Sequence, residues 1–274
     1  MSILARQCLT RRDAKFIPVA HLSGGGADLV SRLGQHPGDA GGESPATSPV
    51  PVSPSTPPLT VYLTNIRSIN NPTKQTELHV HLDEHTPDIL AVTETWLCSG
   101  TPYLHITNYT ELGRRDRENY KPQPGTTNWG GIMVYVRNNT VAATLLEKSP
   151  DAERLWFAVH SNTGSFLFGL QYRPPDEPVD CLDSLESELG KLYPGFIGVF
   201  LFGDFNVHEA RWLRFSNGNT PVGARLCAVA RHFNLIEMVK APTRGNYLLD
   251  LFLTNHPDNT KVKVLPSIAD HKSI

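Results

Sequence analysis

Residues 197–206 read IGVFLFGDFN, an apolar run that ends in a polar sequence. The run is short and rich in aromatic and β-branched residues, which predicts a buried β-strand. VYLTN (61–65) and ILAVTE (89–94) have the same form and end at Asn65 and Glu94. One such polar residue is commonly a strand-end cap or a turn former. Three at equivalent positions indicate one shared cleft, because rigid strands deliver the side chains at their ends to fixed places.

The segments around these runs predict a layered arrangement of sheets and helices. Predicted strands outnumber predicted helices, and the helices occur singly between groups of strands. This order favours a four-layer α/β sandwich, in which two mixed β-sheets pack face to face and are flanked by helices. The first helix has an N-cap residue, Asn71, and a proline at its first position. We expect helices at about 73–86, 179–192 and 221–234, further strands at 131–138, 141–147, 154–160, 165–172, 248–254 and 262–266, and irregular structure at 98–129.

The composition changes sharply near residue 58. Residues 34–58 contain seven Pro, four Gly and four Ser, and no aromatic residue. Such a segment cannot bury enough apolar surface to offset the entropy lost on ordering. We therefore expect residues 1–58 to form a disordered arm and residues 59–274 to form the folded domain.

The charge balance limits the classes of function. Lys and Arg total 25 and Asp and Glu total 27, with an isoelectric point near 6.6, which excludes a strongly basic protein that coats nucleic acid. No run approaches the roughly 18 apolar residues of a membrane span, and the first residues lack the apolar run of a signal peptide. We therefore expect an intracellular protein, nuclear or cytoplasmic, without membrane contact. The four cysteines are far apart in sequence and are expected to be free thiols.

Further acids and a histidine join the three strand ends. Asp250 opens an apolar run, and Asp270 precedes His271. Carboxylates without a cysteine cluster favour an oxygen-ligand metal, Mg²⁺ or Mn²⁺, which Glu94 and Asp270 could hold. His271 suits acid–base chemistry or a phosphate contact, oriented by another carboxylate such as that of Asp250.

Seven motifs in a fixed order carry a family resemblance. They are TNIRSI (64–69), PDILAVTETWL (87–97), RRDR with GGIMVYVR (114–117, 130–137), LQYRPP (170–175), FGDFNVH (202–208), LLDLFLTN (248–255) and ADHKSI (269–274). This set resembles the endonuclease/exonuclease/phosphatase superfamily, and in particular the apurinic-endonuclease-like domain of non-LTR retrotransposons. The resemblance covers about residues 59–274.

The resemblance implies a role for each residue that matches a family motif. Glu94, Asp270 and Asn65 would set the metal. Asp204 would activate the attacking water, Asn206 would steady the pentacovalent phosphate, Tyr172 would contact the scissile phosphate, and Asp250 would orient His271.

The implied function is Mg²⁺-dependent hydrolysis of a DNA phosphodiester, which nicks the strand and leaves a 3′-hydroxyl and a 5′-phosphate. In a complete retroelement a reverse transcriptase domain would follow in the same chain. Two other interpretations stay open, because a fold does not choose its substrate. The chain is alternatively a catalytically dead or unfolded retroelement remnant, or a phosphatase that acts on small phosphoesters.

The sequence departs from the family pattern in three places. Arg67 stands where many members have an acidic metal ligand, and Ala269 stands where serine is common. Only Lys272, Ser273 and Ile274 follow the Asp-His pair, which in this family leads into a final core strand. We therefore expect a C-terminally truncated domain that lacks its last strand.

Basic and aromatic side chains outside the motif set are candidates for DNA contact. Arg115 and Arg117 could reach a DNA backbone, although a solvated loop explains their segment equally well, and Arg211 could contact a phosphate, although such a contact is the less favoured interpretation. Trp96 and Trp129 could stack on bases, but tryptophans of this kind more often belong to the core.

Overall fold

The computed structural model describes residues 58–98, 100–102, 104–117 and 129–269, and the backbone of residues 2–6. Asp270 and His271 lie outside the described residues. The described residues belong to one compact unit of the chain. Within these ranges no helix is long and apolar enough to cross a membrane.

The elements follow one another in an order that alternates strands with single helices. In chain order they are β1 (Ser2–Arg6), β2 (Thr60–Asn65), α1 (Pro72–His85), β3 (Ile89–Thr93), β4 (Tyr109–Arg115), β5 (Ile132–Arg137), β6 (Ala142–Lys148), β7 (Glu153–Ser161), β8 (Gly164–Tyr172), α2 (Cys181–Leu192), β9 (Gly198–Asp204), α3 (Pro221–His232), β10 (Ile236–Glu237), β11 (Asp250–Thr254) and β12 (Lys261–Leu265).

The strands form two mixed sheets of six strands each. The first has the order β12-β1-β2-β3-β5-β4 and the second the order β10-β11-β9-β8-β7-β6. Each sheet contains one parallel pair, β2 with β3 and β8 with β9, and each pair is connected through a helix. The carboxyl ends of β2 and β3 therefore lie side by side, as do those of β8 and β9.

Two hydrophobic clusters separate the layers. Leu78 and Leu82 of α1 pack on one face of the first sheet, against residues such as Tyr62 and Leu90. The other face, with Val61 and Leu63, shares a large cluster with the second sheet and with α2 and α3. This arrangement confirms the predicted four-layer α/β sandwich.

The start of α1 is capped as predicted. The Asn71 side chain accepts hydrogen bonds from the backbone N–H groups of Thr73 and Lys74, at 3.0 and 3.3 Å, and Pro72 occupies the first helical position. An N-cap of this kind satisfies N–H groups that have no partner inside the helix. The cap fixes where α1 begins relative to the loop that follows β2.

Two sequence expectations differ from the structure. Residues 109–115, expected to be irregular, form β4 at the edge of the first sheet. Residues 2–6, assigned to a disordered arm, form β1, which pairs antiparallel with both β2 and β12. Residues 7–57, for which disorder was also expected, lie outside the described residues. The expected loss of a final strand concerns residues that the structure does not describe.

Candidate active site

Three predicted strand ends meet at one place. Asn65 ends β2, Glu94 follows β3, and Asp204 ends β9 in the opposite sheet. The Asn65 Nδ2 atom donates to Glu94 Oε1 and to Asp204 Oδ2, at 3.0 Å each. One amide thus joins the edges of the two sheets, so these three strand ends lie next to one another.

Strand register in the second sheet adds two further side chains. Asp204 is paired with Tyr172 of β8 on one side and with Asp250 of β11 on the other. Directly paired residues on neighbouring strands point to the same face of a sheet. The structure therefore brings together Asn65, Glu94, Tyr172, Asp204 and Asp250.

Gly203 allows β8 and β9 to approach at this point. Its φ is +145°, and a Cβ atom there would lie 1.7 Å from the carbonyl oxygen of Gln171. No other residue type fits this position without separating the strands. The glycine of the GDFN motif thus sets the spacing between Tyr172 and Asp204.

Asn206 lies in the turn that leaves β9. Its backbone N–H donates to Asp204 Oδ1 at 3.2 Å, and its Nδ2 donates to the carbonyl oxygen of Arg173 at 2.9 Å. Asn206 has a left-handed backbone with φ of 47°. Asn206 therefore ties the loop after β9 to Asp204 and to Arg173, the residue that follows β8.

The carboxylates of the site are buried close to one another. Burial raises the pKa of Asp204 well above its usual value, and the charges of Asp250 and Glu94 raise it further. Burial likewise raises the pKa of Asp250 to about 6. The pKa of Tyr172 is raised by burial and by the charges of Glu94 and Asp204, so its phenol is neutral. A bound cation would relieve this concentration of negative charge.

Two buried oxygen atoms at the site have no hydrogen-bond partner among the described residues. They are Asn65 Oδ1 and Asp250 Oδ1. The first lies beside Glu94, so the oxygen donors available there fit a hard cation such as Mg²⁺ or Mn²⁺. The second is free to accept a hydrogen bond from an imidazole, the expected partner being His271.

The described part of the chain does not contain a complete metal site. It holds no group of three or more His, Cys, Asp or Glu side chains placed to bind an ion. Asp270, the predicted third ligand, lies outside the described residues. Arg67, which follows Asn65 by two positions, has its Nε 3.9 Å from Glu94 Oε2.

Several loop residues at the site have left-handed backbone. Such conformations cost roughly 1–3 kcal/mol for non-glycine residues and concentrate at functional sites. Here the loops are held by backbone hydrogen bonds between the segments that follow β2 and β3, from Ser68 N to Glu94 O at 2.8 Å and from Ile69 N to Thr95 O at 3.0 Å. The residues with positive φ are Arg67, Ser68, Glu94, Trp96 and Asn206.

Glu153 is a site residue that sequence reasoning missed. It is fully buried at the start of β7, and accepts hydrogen bonds from Arg117 Nε at 2.6 Å and from the Gly131 N–H. Burial raises its pKa to about 7, although the Arg117 charge opposes this shift. The Arg117 guanidinium lies 5.6 Å from the centroid of the Tyr172 ring. The signal available in the sequence was the adjacent charges of Glu153 and Arg154 at the start of the apolar segment of β7.

The three arginines expected to contact DNA have different environments. Arg115 is buried and donates to the carbonyl oxygens of Ala152 and Pro150, at 2.8 and 2.9 Å. This structural role does not favour its predicted contact with DNA. Arg117 lies next to the site, because its guanidinium is over the Tyr172 ring. Arg211 is exposed, and its Nε pairs with Glu209 Oε1 at 2.6 Å.

Comparison by sequence identifies no relative. No protein-family model matches the chain, and no curated protein does.

Comparison by structure identifies the fold. The endonuclease domain of TRAS1, a telomere-specific non-LTR retrotransposon, matches with a TM-score of 0.54 and 14% identity over 70% of this chain and 82% of that chain. The AP endonuclease LMAP from Leishmania major matches with a TM-score of 0.53 and 13% identity, over 71% and 78%. The human Nocturnin catalytic domain matches with a TM-score of 0.52 and 14% identity, over 76% and 88%.

Proposed function

We propose that this chain, which has the fold of the endonuclease/exonuclease/phosphatase superfamily, is a metal-dependent hydrolase that nicks DNA. The observation that carries the proposal is the convergence of Asn65, Glu94, Tyr172, Asp204 and Asp250 at the adjoining edges of the two sheets. These are five of the eight residues to which the family motifs assign roles. Asn206, beside Asp204, is a sixth.

The chemistry follows from the environment of each side chain. Asp204 lies beside Asn65 and has a pKa raised by burial, which makes its carboxylate a stronger base for the attacking water. The neutral Tyr172 phenol can donate to a phosphate oxygen. Asp250 has a free oxygen to hold His271 in one tautomer. When bound by Glu94, Asn65 and Asp270, Mg²⁺ or Mn²⁺ would offset the negative charge that develops on the phosphoryl group.

The products and the biological role are part of the proposal. Attack of water on the phosphorus atom, with breakage of the bond between phosphorus and O3′ and protonation of the departing O3′, would leave a 3′-hydroxyl and a 5′-phosphate. The likeness to the retrotransposon endonuclease domain supports the endonuclease step of a non-LTR element, in which the 3′-hydroxyl would serve a reverse transcriptase domain.

A plasmid assay tests this function. The full chain is incubated with supercoiled plasmid and Mg²⁺ or a chelator, beside Glu94→Gln and Asp204→Asn. The control is Glu147→Gln, a carboxylate that pairs with Lys191 at the surface of β6. We expect open circles only with Mg²⁺, loss in both site variants, and full activity in the control. Resealing of the circles by DNA ligase would identify the 5′-phosphate.

The same assay separates the alternatives. A folded chain that hydrolyses a small phosphoester but leaves the plasmid intact would establish the phosphatase interpretation. A folded chain inactive on both substrates would contradict the proposal and indicate a catalytically dead remnant.

A further inference from the structure

Two tryptophans lie together beside the candidate active site. The Trp96 and Trp129 rings have centroids 6.3 Å apart and planes inclined by 33°, and we call them the indole pair. Trp96 Nε1 donates to Glu94 Oε2 at 3.2 Å, so the pair directly adjoins a predicted metal ligand. The expectation that both residues belong to the core is not met, because Trp129 is 58% exposed and Trp96 is partly exposed.

Two cations lie over the same indole. The Arg67 guanidinium is 5.9 Å and the Lys74 Nζ 6.0 Å from the Trp96 ring centroid. Lys74 also donates to the carbonyl oxygen of Arg67, which joins the start of α1 to the loop after β2. Positive charge at an exposed aromatic surface is complementary to a nucleotide, which has a negative phosphate and a flat base.

Backbone hydrogen bonds join the two segments that carry the indole pair. Thr95 N and Trp96 N donate to the carbonyl oxygens of Gly131 and Gly130, at 3.1 and 2.8 Å. Trp96 keeps a left-handed backbone with φ of 54°. Two large aromatic side chains that contact each other and are left partly exposed are typical of a binding surface.

We propose that the indole pair, with Arg67 and Lys74, is a nucleotide-binding subsite. Trp129 stacks on one unpaired base of the strand whose phosphate lies at Glu94, and the two cations contact a neighbouring phosphate. The proposal rests on the function proposed above and specifies its substrate. Because a base inside a duplex is covered on both faces, the subsite favours DNA with an unpaired nucleotide next to the cut.

Binding to a fluorescein-labelled single-stranded oligodeoxynucleotide tests the subsite. Anisotropy is measured with the full chain in a chelator, so that no cleavage occurs. Trp129→Ala should weaken binding about tenfold, which is about 1.4 kcal/mol, whereas Trp129→Phe should keep most of the affinity. Ile236→Ala is the control, since Ile236 is also half exposed and pairs with Thr254 at the end of β11 away from Asp250.

Salt dependence tests the cations separately. Lys74→Gln should lower the slope of log K against log salt by about 0.7, the value for one phosphate contact on a single strand. Trp129→Ala should leave that slope unchanged. Trp129→Ala should also bind a duplex with one unpaired nucleotide no more tightly than a fully paired duplex, whereas the unmodified protein should prefer the former.

The outcomes separate the subsite from the hydrolase. Loss of affinity in Trp129→Ala without any Mg²⁺-dependent nicking by the unmodified chain supports the subsite and contradicts the hydrolase. Nicking with equal affinity in Trp129→Ala and Ile236→Ala overturns the subsite alone. Failure of the unmodified, folded chain to bind the oligonucleotide overturns the subsite too, and leaves the indole pair as a surface for another partner.

Discussion

At the scale of single residues, the candidate site is defined by what each side chain touches. Asn65 contacts acids from both sheets, and Glu153 holds Arg117 against Tyr172. Sequence reasoning found the first because it ends an apolar strand. It missed the second because the partner Arg117 lies 36 residues earlier, so the adjacent charges of Glu153 and Arg154 did not by themselves indicate the contact.

Replacing Tyr172 by phenylalanine should reduce nicking by about 10²-fold, the usual effect of removing one hydrogen-bond donor to a developing negative charge. The fold should persist, because the ring is retained. The matched control is Tyr109→Phe, which removes a hydroxyl that donates to the Pro87 carbonyl oxygen at 2.6 Å in the core. Initial rates of plasmid nicking measure the effect, and equal rates in the two variants would remove Tyr172 from the proposed chemistry.

Glu237 makes stability depend on pH. Burial raises its pKa from 4.5 to about 7, although it accepts hydrogen bonds from the Val239 and Phe252 N–H groups. The folded protein therefore binds more protons than the unfolded chain between these values, and stability falls as the pH rises through this window. Between about pH 4 and pH 8 the free energy of unfolding should fall by up to about 3 kcal/mol less in Glu237→Gln than in the unmodified protein. Urea unfolding at the two pH values measures this, and an unchanged difference would contradict it.

At the scale of elements, strands with a strong local pattern were predictable and the others were not. β9 is an apolar run as far as its last residue, Asp204, and α1 has its cap and proline in sequence. β4 reads YTELGRR, with one large apolar residue buried and a bulge between Glu111 and Gly113, so it lacks regular alternation. Such a strand forms because β5 offers it an edge, which is a tertiary effect.

Gly203→Ala should damage both the fold and the site. The added Cβ would lie 1.7 Å from the Gln171 carbonyl oxygen and force β8 away from β9. We expect a loss of more than about 3 kcal/mol in the free energy of unfolding, within the range of overpacking and backbone strain. Gly190→Ala is the control, because no atom lies within 4 Å of its added Cβ in α2, and it should stabilise by about 0.5–1 kcal/mol. Equal unfolding midpoints would contradict this account.

At the scale of the whole molecule, the site exists only where the two sheets meet. The parallel pairs β2–β3 and β8–β9 end at the same place, and β11 begins there. Sequence order indicated the two sheets but not the partners inside them. The position of β1 between β2 and β12 could not be predicted, since its pairings join residues 2–6 to residues 60–64 and 261–265.

Leu4→Pro tests the place of β1 in the first sheet. Proline removes a backbone N–H from the middle of a strand that pairs on both sides. We expect a loss of about 1–3 kcal/mol, the effect of an unpaired buried backbone group. Leu4→Ala, which keeps the N–H group, is the control. Urea unfolding compares the two, and a proline variant as stable as the alanine variant would exclude β1 from the sheet.

The pairing of β1 with β12 has a consequence during synthesis. β1 and β2 leave the ribosome before β12, which follows about 200 residues after β2. At roughly 5–20 residues per second this interval lasts about 10–40 s. Throughout it the far side of β1 has no strand to pair with, and an open edge of this kind is where nascent chains adhere to one another. The yield of native protein in the cell should therefore depend on the speed of translation and on chaperones that shield that edge.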